Sequence, residues 1–247
     1  MEYFFYYIEP NVGLELITKC EAMGRAAAKG GTRSKVYFVD DYVVIKANLS
    51  IKDTRPVSKV RDKVPFDEVV KRLNMLKNGG VNVVPILGYA YDPDNIYDIY
   101  GKLAYASGYI IEPKAMGKEL WNEKDFDDKK YVLERIRMFA QAPQEQYNKF
   151  VKDFIAIVDA GIFIDPVEEN FFYDEINGFS FIDLNTIADK GQTELNMQSL
   201  QSFYRKIAHE KFIEKKDLTD EEREAVIQNN NQIFEKYQKA LSTVNIL

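Results

Sequence analysis

Hydrophobic and polar positions follow a two-residue rhythm in the first part of the chain. In "KVYFVDDYVVIKAN", two runs of β-branched and aromatic residues flank Asp40-Asp41, which predicts two strands joined by a tight turn. "PFDEVVKRLNMLKNGG" then spaces Phe66, Val69, Val70, Leu73 and Leu76 at helical intervals between Pro65 and Gly79-Gly80, predicting one amphipathic helix. "VNVVPILGYAYD" and "ASGYIIEPKA" predict two further strands, separated by the polar loop "PDNIYDIYGK". The opening "MEYFFYYIEP" is apolar but lacks a basic leader, carries Glu2 and Glu9 and breaks at Pro10, so it is expected to be a strand or packing arm rather than a signal peptide.

After Gly117 the period lengthens. "LWNEKDFDDKKYVLERIRMFAQ", "QEQYNKFVKDFIAIVDAG", "NMQSLQSFYRKIAHEKFIEKK" and "TDEEREAVIQNNNQIFEKYQKAL" each predict a helix; the second stops at Gly161, and Thr219 with Glu222 forms a capping box for the last. One stretch interrupts them, "GIFIDPVEENFFYDEINGFSFIDLN". There "NFFYD" and "FSFID" flank "EING", and Asn177-Gly178 signals a hairpin turn. The expected class is α+β, with a small antiparallel β lobe carrying one helix over residues 1–113 and a larger, mainly helical lobe over 114–247.

Composition narrows the chemistry. A formal charge of -6 leaves no basic footprint, so nucleic acid is not an expected partner. The single cysteine, Cys20, excludes an internal disulfide and a multi-cysteine zinc site and suits the cytoplasm. The single histidine, His209, removes Ser-His-Asp catalysis and multi-histidine metal sites, and its charged surroundings predict a surface position. Trp121 is expected to anchor a helix. No run approaches the roughly 20 apolar residues that span a bilayer, so no membrane partner is expected.

Three polar residues stand out in the interrupting stretch: Asp165, Asn170 after the four intervening residues "PVEE", and Asp183 after the hairpin. Singly, each is an ordinary turn or cap residue. Together with the order of elements, they resemble the protein-kinase-like superfamily, which includes protein kinases and the aminoglycoside phosphotransferases. The resemblance covers roughly residues 30 to 190.

It implies ATP and Mg2+, or Mn2+, as cofactors, Asp165 as the group that orients a hydroxyl and takes its proton, and Asn170 and Asp183 as metal ligands. Lys46, ending "YVVIK", corresponds to the strand lysine that reaches the nucleotide phosphates, with Glu68 as its expected partner on the following helix and Asp67 as the alternative. Gly30 and Gly31 occupy the place of the glycine-rich loop, although "AKGGTRSK" departs from the usual G-x-G-x-x-G. Glu112 and Lys114 would offer backbone groups to adenine, with Ile111 bordering the pocket.

The chain departs from typical protein kinases elsewhere too. "IFID" replaces His-Arg-Asp, and Leu184-Asn185 follows Asp183 in place of Phe-Gly. Control through an activation-loop phosphate is therefore not expected, and the pattern is closer to compact bacterial kinases and small-molecule phosphotransferases. The resemblance leaves three activities open: phosphoryl transfer to a hydroxyl of a protein or small molecule, nucleotide binding without transfer as in a pseudokinase, and transfer of AMP.

Overall fold

Around Asp40 the expected hairpin forms: β3 (Ser34–Val39) pairs antiparallel with β4 (Tyr42–Ile51), and Asp40 turns the chain at φ 51°. The computed structural model describes residues 3–23, 28–30, 34–51, 66–99, 103–120, 128–184, 186–213 and 217–244. They belong to two compact units, one over Met1–Gly79 and Val84–Lys114, the other over Gly80–Val83 and Ala115–Leu247.

In the first unit, β1 (Phe4–Tyr6), β2 (Ala28–Gly30), β5 (Gly88–Ile99) and β6 (Leu103–Pro113) complete a six-stranded antiparallel sheet in the order β1-β5-β6-β4-β3-β2. β5 runs on through the expected loop "PDNIYDI". A register shift between Tyr91 and Ile96 absorbs the Asp-Pro-Asp segment, after which pairing with β6 resumes.

Side chains alternate across the sheet, so it has two distinct faces. On one, Tyr37, Val39, Val44, Ala90, Tyr109 and Ile111 pack with Leu16, Ile17 and Cys20 of α1 (Pro10–Met23), a helix additional to the one expected. On the other, Tyr89 stacks on Tyr6 at 5.0 Å and meets Phe66 at 5.9 Å, at the start of α2 (Asp67–Asn78). The helix α2 buries Val69, Val70, Leu73 and Leu76, which turns Glu68 and Arg72 outward.

The second unit holds β7 (Lys118–Glu119), β8 (Phe171–Asp174) and β9 (Gly178–Phe181) in one three-stranded sheet, ordered β7-β8-β9. α3 (Lys129–Gln141) starts where the Asp128 side chain accepts the N–H groups of Lys130 and Tyr131. The earlier part of that predicted helix, with Trp121, lies outside the described residues. α4 (Gln144–Asp159) precedes the polar loop, and α8 (Asp220–Ser242) opens with the expected capping box of Thr219 and Glu222.

The predicted helix between them is broken into α5 (Lys190–Ser202), α6 (Tyr204–Ile207) and α7 (Glu210–Ile213). One break falls at His209, which has φ 50°. His209 is buried, not on the surface as expected. Its ring lies 6.0 Å from Phe139, and burial followed by the charge of Arg135 pulls its pKa down to about 4, so it is neutral at ordinary pH. Hydropathy averaged over a charged helix cannot reveal one inward position at a break.

Phe150 of α4 lies at the centre of the second unit. It stacks on Phe181 at 5.3 Å and meets Phe179 and Phe203 at 5.1 Å, with all four rings buried. Nearby, the buried carboxylate of Asp153 accepts the Asn82 N–H at 2.9 Å and pairs with Lys149, whose ammonium also donates to the Gly80 carbonyl at 2.7 Å. These bonds fasten the Gly80–Val83 segment to α4, while Val83 bridges to Phe181. Phe150→Ala should cost about 3–5 kcal/mol of stability. Equilibrium denaturation of the full chain measures it, and a loss below about 1 kcal/mol would show that the rings do not form one packed support.

Candidate functional site

The loop from Gly161 to Asn170 is held along both sides. The chain beyond Asp183 returns beside it: Ile162 bridges to Ile187, Phe163 N–H donates to the Thr186 carbonyl at 2.8 Å, and Ala188 N–H donates to Gly161 at 2.9 Å. From α5, the fully buried Asn196 binds both backbone groups of Ile164. In the amide orientation its surroundings require, its nitrogen donates to the Ile164 carbonyl and its oxygen accepts the Ile164 N–H, each at 2.9 Å. This holds the residue immediately before Asp165.

Asn170 ties the loop to the hairpin. Its Nδ2 donates to the Asp165 carbonyl at 3.2 Å, and its own carbonyl accepts the Ile182 N–H at 3.0 Å. Because Ile182 immediately precedes Asp183, positions far apart in sequence become neighbours. The hairpin turn is set by Asp174, whose Oδ1 accepts the N–H groups of Ile176 and Asn177 at 3.1 and 2.7 Å, and by Gly178 at φ 75°.

Asp183 itself has φ 56°, an uncommon conformation for a residue with a side chain, and the buried Leu184 follows it. Solvent reaches Asp183, but surrounding protein dehydrates the carboxylate. That dehydration, followed by the nearby charge of Asp165, pushes its pKa up to about 6. Asp165 is exposed, and Glu168 of the same loop pairs with Lys206 at 3.2 Å. The structure therefore brings Asp165, Asn170 and Asp183 together on one loop and hairpin.

The first-unit candidates are arranged differently. The expected pair between Lys46 and Glu68 is not formed. Strand alternation places Lys46 opposite Tyr109, on the face packed by α1, and its Nζ lies 5.2 Å from the Tyr109 ring centre. Glu68 pairs instead with Arg72 at 2.9 Å, and Asp67, the alternative, is engaged by Lys71 and Tyr7. Ile111 is fully buried in the core, Glu112 is buried, and the Lys114 N–H donates to the Asp41 carbonyl at 3.2 Å. Gly30 ends β2, while Gly31 lies outside the described residues.

Among the described residues, no group of three or more His, Cys, Asp or Glu side chains is gathered as a metal site, and no helix is long and apolar enough to cross a membrane. A cleft of about 440 Å³ in the second unit is lined by Tyr131, Arg135, Met138, Tyr173 and Ile176, and includes none of Asp165, Asn170 or Asp183.

No family model and no curated protein matches the chain. Solved structures similar to it include a MAP kinase, LmaMPK10, from Leishmania major, at 14% identity and TM-score 0.41, covering 92% of this chain. The chain spans 66% of that kinase, just under two thirds of its length. ROP2 from Toxoplasma gondii, described as a virulence factor with a protein-kinase fold and no enzymatic activity, is 10% identical at TM-score 0.38, covering 95% of this chain and 90% of its own. The amicoumacin kinase hAmiN, solved with AMP-PNP, Ca2+ and Ami, is 11% identical at TM-score 0.31, covering 93% and 94%.

The raised pKa of Asp183 has a defined sign. Between pH 3.8 and about 6 the native chain holds a proton that the unfolded chain releases, so stability falls as pH rises through that window. Asp183→Asn should melt a few degrees higher than the native chain at pH 7. The difference should vanish toward pH 4 in thermal melts across pH; a constant offset at every pH would contradict this origin.

Proposed function

We propose that this protein transfers the terminal phosphoryl group of ATP to a hydroxyl of a protein or small molecule. The observation that carries the reading is the double role of Asn170, whose side chain binds Asp165 while its backbone binds the residue before Asp183. In this reading Asp165 orients the acceptor hydroxyl and takes its proton, the acceptor oxygen bonds to the γ-phosphorus, and ADP departs as the bond to the β–γ bridging oxygen breaks.

Asn170 and Asp183 would hold Mg2+ or Mn2+, which when bound neutralises charge on the phosphates. Their oxygen atoms are hard donors, and Mg2+ commonly takes only one or two carboxylates beside phosphate oxygens, so the absence of a larger acidic cluster among the described residues fits. A cation would also compensate the dehydration and the neighbouring charge of Asp165 that raise the pKa of Asp183. Lys46 is assigned to the phosphates, without the support expected from Glu68, which pairs with Arg72. Gly30, Gly31, Ile111, Glu112 and Lys114 are assigned to the rest of the nucleotide. A cytoplasmic setting, which keeps Cys20 reduced, suits this chemistry.

One observation favours a second reading, a module that binds without transfer: Lys46 and Glu68 are not paired in this structure. Radiolabelled ATP separates the readings. The native chain should label itself, generic protein or an aminoglycoside, and Asp165→Ala should reduce transfer by about 10²–10⁴-fold while circular dichroism stays native. Undiminished turnover in Asp165→Ala and Asp183→Ala would overturn the assignment. Binding without transfer would support the module, and a product carrying AMP would place the chemistry at the α-phosphorus.

A further inference from the structure

The two side chains assigned to nucleotide on β4 and β6, Lys46 and Ile111, share the sheet face against which α1 packs. Ile111 has no exposed surface and lies in one cluster with Leu16, Ile17 and Cys20 of α1 and with Val44 and Tyr109 of the sheet. At the edge of this cluster the Tyr109 hydroxyl donates to Glu21 of α1 at 3.0 Å, while the ammonium of Lys46 rests over the Tyr109 ring. Tyr3, from the start of the chain, closes against the same ring at 5.6 Å. The amino-terminal segment therefore covers the sheet face that carries both assigned side chains.

We propose that α1 is a built-in cover for the nucleotide-binding face of the first unit, and that nucleotide binding displaces it. The inference rests on the phosphotransferase reading and adds its regulation. A nucleotide bordered by Ile111 and reached by Lys46 needs the surface now occupied by Leu16, Ile17 and Cys20, so helix and nucleotide exclude one another. Such exclusion is reciprocal: whatever loosens α1 tightens nucleotide binding, and nucleotide loosens α1.

The helix has features of a part that can leave. It has no basic residue in its last turn, so no positive charge complements the carboxyl end of its dipole. Its charged tie to the sheet by Lys19 and Asp40, at 2.8 Å, is solvent-exposed, a kind of ion pair that contributes little. Val12, Leu14 and Met23 on the same helix are exposed.

Cys20 supplies the reporter, because it is the single cysteine and is buried beneath α1. The native full chain is treated with a thiol reagent, with and without AMP-PNP and Mg2+, while calorimetry follows nucleotide binding independently. The same is done with Lys19→Glu, which removes the tie to Asp40 and adds repulsion from Glu15.

Saturating nucleotide should speed Cys20 labelling several-fold, and Lys19→Glu should both label faster and bind nucleotide several-fold more tightly. Binding detected only in Lys19→Glu would also support the cover. Nucleotide binding with unchanged or slower labelling would overturn the cover, leaving the phosphotransferase reading in place; α1 would then be permanent core. No binding in either chain would overturn the nucleotide reading, and the cover would fall with it.

Discussion

The aromatic rings packed around Phe150 govern the geometry of the second unit. Phe171 and Phe181 come from the two strands of the hairpin, Phe203 from the break after α5, and Phe150 from α4. Once these rings close on one another the hairpin has little freedom to shift, because a change of register would turn its inward rings toward solvent. The backbone bond between Ile182 and Asn170 then fixes the hairpin to the loop. Asp165, Asn170 and Asp183 can stand at the edge of so apolar a region because the packing and backbone bonds beneath them are complete. Asp183 retains a consequence of that position in its left-handed backbone and raised pKa.

Much of this arrangement was legible in the sequence. The apolar runs around Asp40-Asp41 and Asn177-Gly178, the stripe from Val69 to Leu76 and the capping box at Thr219 each combine a local pattern with a turn or cap residue, and each element forms. Asn196 was not legible. Within "TELNMQSL" it resembles any polar residue on an exposed helical face, and its role depends on α5 lying against a backbone segment more than thirty positions earlier. An asparagine with no exposed surface could be recognised only once the chain had folded around it. His209 was hidden in the same way, by a helix break that brings one position inward.

The first unit shows where pattern alone misleads. The resemblance paired the lysine that closes "YVVIK" with a glutamate opening the next helix, yet pairing depends on which sheet face each occupies. Alternation along β4 puts Lys46 with Val44 on the α1 side, whereas Phe66, which leads into α2, packs on the opposite side. The apolar stripe of α2 then turns Glu68 toward Arg72. The opening "MEYFFYYIEP", read as a strand or packing arm, contributes the edge strand β1, and the stretch after it, for which no element was expected, forms the helix that packs the Lys46 face.

The proposed phosphotransferase chemistry requires Asn170 and Asp183 to hold a divalent cation together with nucleotide. Thermal unfolding with ATP, with and without Mg2+, in the native chain and in Asn170→Ala and Asp183→Ala, tests it most directly. Ligand at 100 times its dissociation constant stabilises by about 2.7 kcal/mol. The native chain should therefore show a clear upward shift in its midpoint that requires ATP and Mg2+ together, and both variants should lose the metal-dependent part. An equal shift in the variants, or a shift in the native chain that is indifferent to Mg2+, would contradict the claim.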